Sequence, residues 1–222
     1  FVPVTSLKDT FINLKNDFDD FVTTPEIPST VTNMQSTFSR CGKLVNITNL
    51  PPKLESLRWT FYKCTSLENF NQNIPDTVTT MEETFLGCGK LANFDKELPK
   101  NLKTLKGTFY RCENLKAFDK EIPEGVTNMR STFDQCKSLQ RFNSSIPESV
   151  TNMYATFSQC KKLTNINIVV PKNVTNLQYT FGDCQLLNGT VEINASVTGK
   201  ILDDNSKIDY YACFRLCNCN RK

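Results

Sequence analysis

The chain sets its apolar side chains on fixed columns. Cysteine stands at 41, 64, 88, 112, 136, 160 and 184, a step of 23 once and then of 24 five times. A Thr-Phe pair precedes each of these cysteines, from Thr37-Phe38 through Thr108-Phe109 to Thr180-Phe181, and a leucine follows three residues later, from Leu44 to Leu187. Three residues further comes an aromatic or aliphatic side chain: Ile47, Phe70, Phe94, Phe118, Phe142 and Ile166. Val or Leu at 31, 54, 78, 102, 126, 150 and 174, with Met or Leu at 34, 57, 81, 105, 129, 153 and 177, completes the unit I-P-x-x-V-T-N-M-x-x-T-F-x-x-C-x-x-L-x-x-F. A period of this length means stacked coils, none of which buries its apolar side without its neighbours. Six apolar columns per coil are enough to line a continuous core.

Within each unit, Val-Thr-Asn-Met reads as a short extended segment, the stretch through Thr-Phe-x-x-Cys as one to two helical turns, and Leu-x-x-Phe as a second short strand. Proline at 28, 51, 75, 99, 123, 147 and 171 ends the strand's pairing and sets a corner. The Thr before each Phe has two roles open to it, a cap on the short helix or an internal rung bonded to a carbonyl. The expected organisation is one elongated repeat domain over 1–222. A degenerate first coil (1–26) precedes seven regular repeats (27–187) and a modified capping coil (188–222). In the first coil Val4, Leu7 and Thr10-Phe11 fall on the columns, Leu14 replaces the cysteine, Phe18 and Phe21 serve the next two columns if one residue is inserted, and Asp17, Asp19 and Asp20 suit a polar end. In the last, Val191, Ile193, Ala195 and Val197 alternate with other residues as in a strand or hairpin, and Phe214-x-x-Cys217 restores the spacing after an insertion of nine residues.

The run V-T-N-M-x-x-T-F-x-x-C-x-x-L, intact from Val126 to Leu139 and from Val150 to Leu163, resembles the BspA-like (Treponema-type) leucine-rich repeats of bacterial surface proteins. Within that group it is most similar to the branch with V-T-x-M-x-x-M-F repeats found in mycoplasma lipoproteins and in secreted proteins of gut bacteria. The resemblance covers roughly residues 4 to 191. Thr stands where that branch has Met before Phe, and the Ile-Pro corner comes two residues later than in the Treponema-type consensus. The resemblance implies an α/β architecture, a right-handed leucine-rich-repeat solenoid of 23–24-residue coils, each with short strands and a short helix. It also implies a cell-surface or secreted setting and a role in adhesion or protein binding.

In such repeats the residues between the inward apolar positions of the strand face the concave side. That rule places Asn46, Asn69, Asn93, Ala117, Arg141 and Asn165 in one column, with Thr48, Asn71, Asp95, Asp119, Asn143 and Asn167 beside it. An amide-rich strip with two acids suits hydrogen bonding to a glycan or peptide. Asparagine columns equally serve as rungs that satisfy backbone groups between coils. The candidate ligand-binding residues are therefore Asn46, Asn69, Asn71, Asn93, Asp95, Asp119, Arg141, Asn143, Asn165 and Asn167. The expected partner is a host or matrix protein, or a glycan; the other function open to such a chain is that of a spacer displaying another domain.

Composition narrows the chemistry. The chain has no histidine, which removes Cys-His and Ser-His-Asp nucleophile arrangements and the commonest metal ligand. No enzymatic activity, cofactor or metal is expected. The net charge is +3 with Lys and Arg scattered, so a nucleic-acid footprint is lacking. No apolar run approaches the roughly 18 residues of a membrane span, and direct membrane insertion of these residues is not expected. The start, FVPVTSLKDTF, lacks the marks of a signal peptide and suggests a mature form or a cut-out piece. A monomer is expected. Seven of the ten cysteines share one column, where stacking at about 5 Å with parallel Cβ vectors disfavours disulfides, so they read as small buried thiols. Cys213, Cys217 and Cys219 leave a terminal disulfide, a metal clamp or loose thiols open. The aromatics Trp59, Tyr62, Tyr110, Tyr154 and Tyr179 flank the helical-turn segment, as anchors for a partner or as cover for the convex side. Five N-x-S/T sequons, at Asn46, Asn143, Asn173, Asn188 and Asn194, are what an Asn- and Thr-rich chain gives by chance.

Overall fold

Every second backbone N–H in the Met-to-Cys segment points out of its own coil, and this sets the architecture. The computed structural model describes residues 2–12, 22–188, 190–193 and 220–221. In the central coil the N–H groups of Leu105, Gly107, Phe109 and Arg111 bond to the carbonyls of Asn128, Arg130, Thr132 and Asp134 in the next coil, at 2.8–2.9 Å. Those between them, from Thr108, Tyr110 and Cys112, bond back to Leu105, Gly107 and Phe109 at 2.9–3.1 Å. An α-helix would send each of these groups four residues back. The Thr-Phe-x-x-Cys segment is accordingly a succession of β-turns, and no helix occurs among the described residues.

These turns require the left-handed region twice per coil, at Ser36 and Arg40, Trp59 and Lys63, Glu83 and Gly87, and so on to Tyr179 and Asp183, with φ between 51° and 75°. A positive φ is what the third residue of a type II turn needs. For a non-glycine residue it costs about 1–2 kcal/mol. The ladder of inter-coil bonds offsets that cost.

Two parallel ladders complete each coil. The Val-Thr-Asn-Met segment pairs through single bridges that run Asn33, Ser56, Thr80, Thr104, Asn128, Asn152, Asn176. The Leu-x-x-Phe segment supplies β1 (Ala117–Phe118), β2 (Arg141–Phe142) and β3 (Asn165–Val170), followed by β4 (Thr190–Ile193) and β5 (Asn220–Arg221). They form an open parallel sheet in the order β1-β2-β3-β4-β5. Upstream, the bridges Thr23 to Asn46 and Asn69 to Asn93 continue the same column. The carbonyl of each of the seven corner prolines, 28, 51, 75, 99, 123, 147 and 171, accepts the N–H three residues on, as Pro123 does from Val126 at 3.0 Å. β4 pairs in parallel on both sides, which is the strand alternative; a hairpin would need an antiparallel partner. Leu14, Asp17, Phe18, Asp19, Asp20, Phe21, Asn194, Ala195, Val197, Cys213, Phe214, Cys217 and Cys219 lie outside the described residues.

The core consists of two interlocked phenylalanine stacks. Phe11, Phe38, Phe61, Phe85, Phe109, Phe133, Phe157 and Phe181 stack face to face at 5.4–5.9 Å. Phe70, Phe94, Phe118 and Phe142 form the second column at 5.9–6.3 Å. The buried polar groups bond backward along the stack. Thr132 Oγ1 donates to Leu105 O of the preceding coil at 3.1 Å and to Met129 O of its own at 2.7 Å, which is the rung role rather than a helix cap. Cys136 Sγ donates to Phe109 O at 3.1 Å, and the thiols of Cys64, Cys88, Cys112, Cys160 and Cys184 repeat the contact at 3.0–3.1 Å. The seven column cysteines are buried and show no disulfide among the described residues.

Candidate functional site

The strand segment buries its Leu and Phe, so the residue between them turns outward. In-register pairing of Ala117 with Arg141 and of Arg141 with Asn165 places those positions in one column. Asn46, Asn69, Asn71, Asn93, Asp95, Asp119, Arg141, Asn143 and Asn167 are exposed, and Asn165 lies in β3 with its backbone paired to β2.

The strip divides in two. At its downstream end the Asp119 carboxylate is clamped across one coil interface: Arg141 Nε and Nη2 donate to Oδ2 at 3.3 and 3.1 Å, and Asn143 Nδ2 donates to Oδ1 at 2.8 Å. Upstream, the side chains of Asn69, Asn71, Asn93 and Asp95 carry no hydrogen bond or ion pair among the described residues. Asn46 makes a long contact with Thr23 Oγ1, 3.5 Å. The asparagines that do satisfy backbone groups stand elsewhere. Asn49 bridges the N–H and carbonyl of Ile27 at 2.9 Å each, and Asn101 and Asn173 donate to the carbonyls of Asp76 and Glu148. The rung role thus describes those residues and not Asn69, Asn71 or Asn93. A depression of about 390 Å³ adjoins the strip at Asn143 and Asn167, walled by Ser144, Ser145 and Val169.

The turn face carries a second cluster. Arg58 lies 4.1 Å over the Trp59 ring, Arg130 4.8 Å over Tyr154, and Arg111 5.3 Å from Tyr110. Tyr62 has Lys63 at 5.2 Å and Arg40 at 5.9 Å. Trp59 Nε1 donates to Glu83 Oε2 at 3.0 Å, and Tyr154 meets Tyr179 edge-on at 5.8 Å. The aromatics therefore cover neighbouring coils and also hold cations, a pairing that sequence inspection missed. The signal was present: three of the cations are sequence neighbours of their ring, and Arg40 and Arg130 stand 22 and 24 residues before theirs.

Two further groups bear on chemistry. Burial pushes the Asp134 carboxyl up to about 6, against the pull of a Ser158 hydrogen bond and the Arg111 charge, and its Oδ1 is buried without a hydrogen-bond partner. Burial also holds the thiols of Cys64, Cys88, Cys112, Cys136 and Cys160 well above the usual range. Thiolate nucleophiles need the opposite setting. Among the described residues no group of three Cys, Asp or Glu side chains is placed to hold a metal ion, and no helix is long and apolar enough to cross a membrane.

A family model described as BspA type leucine rich repeat region matches in six copies over residues 18–119 and 82–218. No curated protein matches the chain. Among solved structures it is similar to a leucine rich repeat protein of T. pallidum, at 20% identity and a TM-score of 0.44, over 77% of this chain and 67% of that one. It is also similar to a leucine rich cell surface protein of Faecalibacterium prausnitzii, at 16% identity and a TM-score of 0.37, over 85% and 76% of the two chains.

Proposed function

From a chain that belongs to the BspA-type leucine-rich-repeat family, we propose a non-catalytic binding module, at a cell surface or secreted, that takes a host or matrix protein or a glycan on its polar strand strip. The observation that carries this is the upstream half of the strip. Asn69, Asn71, Asn93 and Asp95 present donors and acceptors to solvent on a rigid ladder and spend none of them on the fold. A ligand seated there meets polar groups held at the coil spacing, about 4.8 Å apart, and so loses little to ordering of the site. The clamped trio of Asp119, Arg141 and Asn143 forms the fixed border of that surface. The phenylalanine stacks pack beneath the ladder.

The test is binding to an array of matrix proteins and neutral glycans, with a variant carrying Asn69→Ala, Asn71→Ala, Asn93→Ala and Asp95→Ala run beside the parent. Because these exposed side chains make no hydrogen bond or ion pair among the described residues, the variant is expected to keep the parent's stability and lose the interaction. Undiminished binding by that variant places recognition elsewhere, and silence from both proteins favours the spacer role.

A further inference from the structure

The turn face carries different chemistry from this strip. We infer that it is a second binding surface, for a linear anionic polysaccharide, with Arg40, Arg111 and Arg130 as the groups that hold its sulfates or carboxylates.

These three arginines are exposed and form no ion pair among the described residues. Each is nonetheless ordered, because its guanidinium rests against the ring of a tyrosine at 4.8–5.9 Å. Arg111 Nε also donates to Gln135 Oε1 at 3.1 Å, which leaves its terminal N–H groups for a ligand. A guanidinium placed against an aromatic ring loses less entropy when it grips an oxyanion. The carboxylates on this face are already occupied or turned inward. Glu82 takes Lys106 at 2.6 Å and Arg58 at 3.4 Å, Glu83 takes the Trp59 indole, and Asp134 has one oxygen buried. What remains facing solvent is positive.

The shape of the face selects the occupant. Arg40 and Arg111 hold the same column three coils apart, roughly 14 Å at the spacing of parallel strands, and Arg130 follows one coil later. That spread suits charges repeated along a polymer rather than one small anion. Beside Arg130 lies an open depression of about 380 Å³ at Gly107, lined by Lys106, Tyr110, Arg130 and Ser131 together with Leu86 and Glu83, whose carboxylate is taken up by the Trp59 indole and Lys106. It exists because this left-handed position has no side chain: a Cβ on Gly107 would stand 2.8 Å from Glu83 Cγ. A peptide partner gains most of its affinity from apolar anchors sunk in pockets, and the aliphatic side chain here, Leu86, is only 8% exposed. A saccharide needs no such anchor. It lays its rings on half-exposed tyrosines and offers its anions at the rim.

The experiment is surface plasmon resonance on immobilised heparin as a sulfated probe, with fully desulfated heparin and poly-glutamate as comparison surfaces. The variant Arg40→Gln, Arg111→Gln, Arg130→Gln is compared with Lys96→Gln, Lys116→Gln, Lys162→Gln, which removes equal charge outside these columns. The arginine variant is expected to bind heparin about tenfold more weakly or worse. The lysine variant, and the Asn69, Asn71, Asn93 and Asp95 alanine variant of the strand strip, keep most of the parent's affinity. Three results overturn the inference: no binding of the parent to heparin, equal losses in the two charge variants, or binding to poly-glutamate as strong as to heparin. The last would assign the face to an acidic peptide instead.

Discussion

Replacing Phe109 by alanine empties a rung in the middle of the core, and the structure says how large the loss is. The ring is 0% exposed. It stacks on Phe85 and Phe133 at 5.7 and 5.5 Å and meets Phe94 and Phe118 at 5.0 and 5.8 Å. Loss of a buried phenylalanine costs about 3–5 kcal/mol, cavity included, and ring pairs add roughly 0.5–1.5 kcal/mol each beyond their area. The upper end of the range, about 5 kcal/mol, is therefore expected. Phe11 is the comparison. It is only partly buried and stacks on Phe38 from near the chain's start, at 5.4 Å, so Phe11→Ala should cost about 1–2 kcal/mol. The assay is equilibrium urea unfolding followed by circular dichroism and by Trp59 fluorescence. With a slope of about 2 kcal/mol/M, the Phe109 midpoint falls by roughly 2 M. In a stack held by nearest-neighbour contacts, the two probes should also separate, because Trp59 reports only the coils before the emptied rung. Equal losses at Phe11 and Phe109, or a Phe109 loss below about 1 kcal/mol, would refute the reasoning from ring contacts.

Thr132→Val keeps the shape of the rung and removes both carbonyl contacts, so a loss of about 1–2 kcal/mol is expected, with Thr132→Ser retaining most of it; a neutral valine in the same urea series counts against the hydroxyl as a structural bond. Asp134 has a folded-state value near 6, above its ordinary 3.8, so between about pH 4 and 6 the folded chain holds a proton that the unfolded chain has released. Stability should fall as pH rises through that window, by roughly 1–2 kcal/mol after solvent screening, and Asp134→Asn should flatten this part of the melting-temperature profile and raise stability at neutral pH. The seven thiols described should ignore a thiol reagent in the native protein and react after unfolding in denaturant without reductant; fast native labelling of Cys88 or Cys136, traced by peptide mapping, would contradict their burial.

The columns were legible because a repeat forces every buried position to recur, and Phe38, Phe61 and Phe85 announce one another at 23 and 24 residues. The same spacing fixes the pairing register, which sets Arg141 beside Asn165. The turn segment misled because T-F-x-x-C puts apolar residues at spacings that a short helix also gives. Its true conformation rests on left-handed residues, and those positions are filled by Ser36, Trp59, Glu83, Ser131, Ala155 and Tyr179, with glycine at 87 and 107 alone. A side-chain-independent backbone bond set that choice, and such bonds leave no mark in composition. In the strip, positions were readable but partnership was not: that Asp119 is clamped and Asp95 is open depends on which cation stands one coil later. Arg141 follows Asp119 by 22 residues, whereas the position 22 after Asp95 is Ala117.

The direction of the bonds between coils has a consequence for how such a chain changes over time. In its turn segment each coil hands amide protons forward and receives hydroxyl and thiol protons from the coil that follows it in sequence, as the coil of Leu105 and Phe109 does with Thr132 and Cys136. Its two edges are therefore complementary to each other, and each coil offers the same pair of edges. Removing or duplicating one whole unit of 24 residues joins edges that already fit, while a shift of a single residue misplaces every column at once. Length is thus free to drift in whole steps under no structural penalty at the joint. Outward positions that take no part in the joint, such as Asn69, Asn71 and Asn93, are at liberty to diversify coil by coil, so the scaffold and what is written on it are inherited separately.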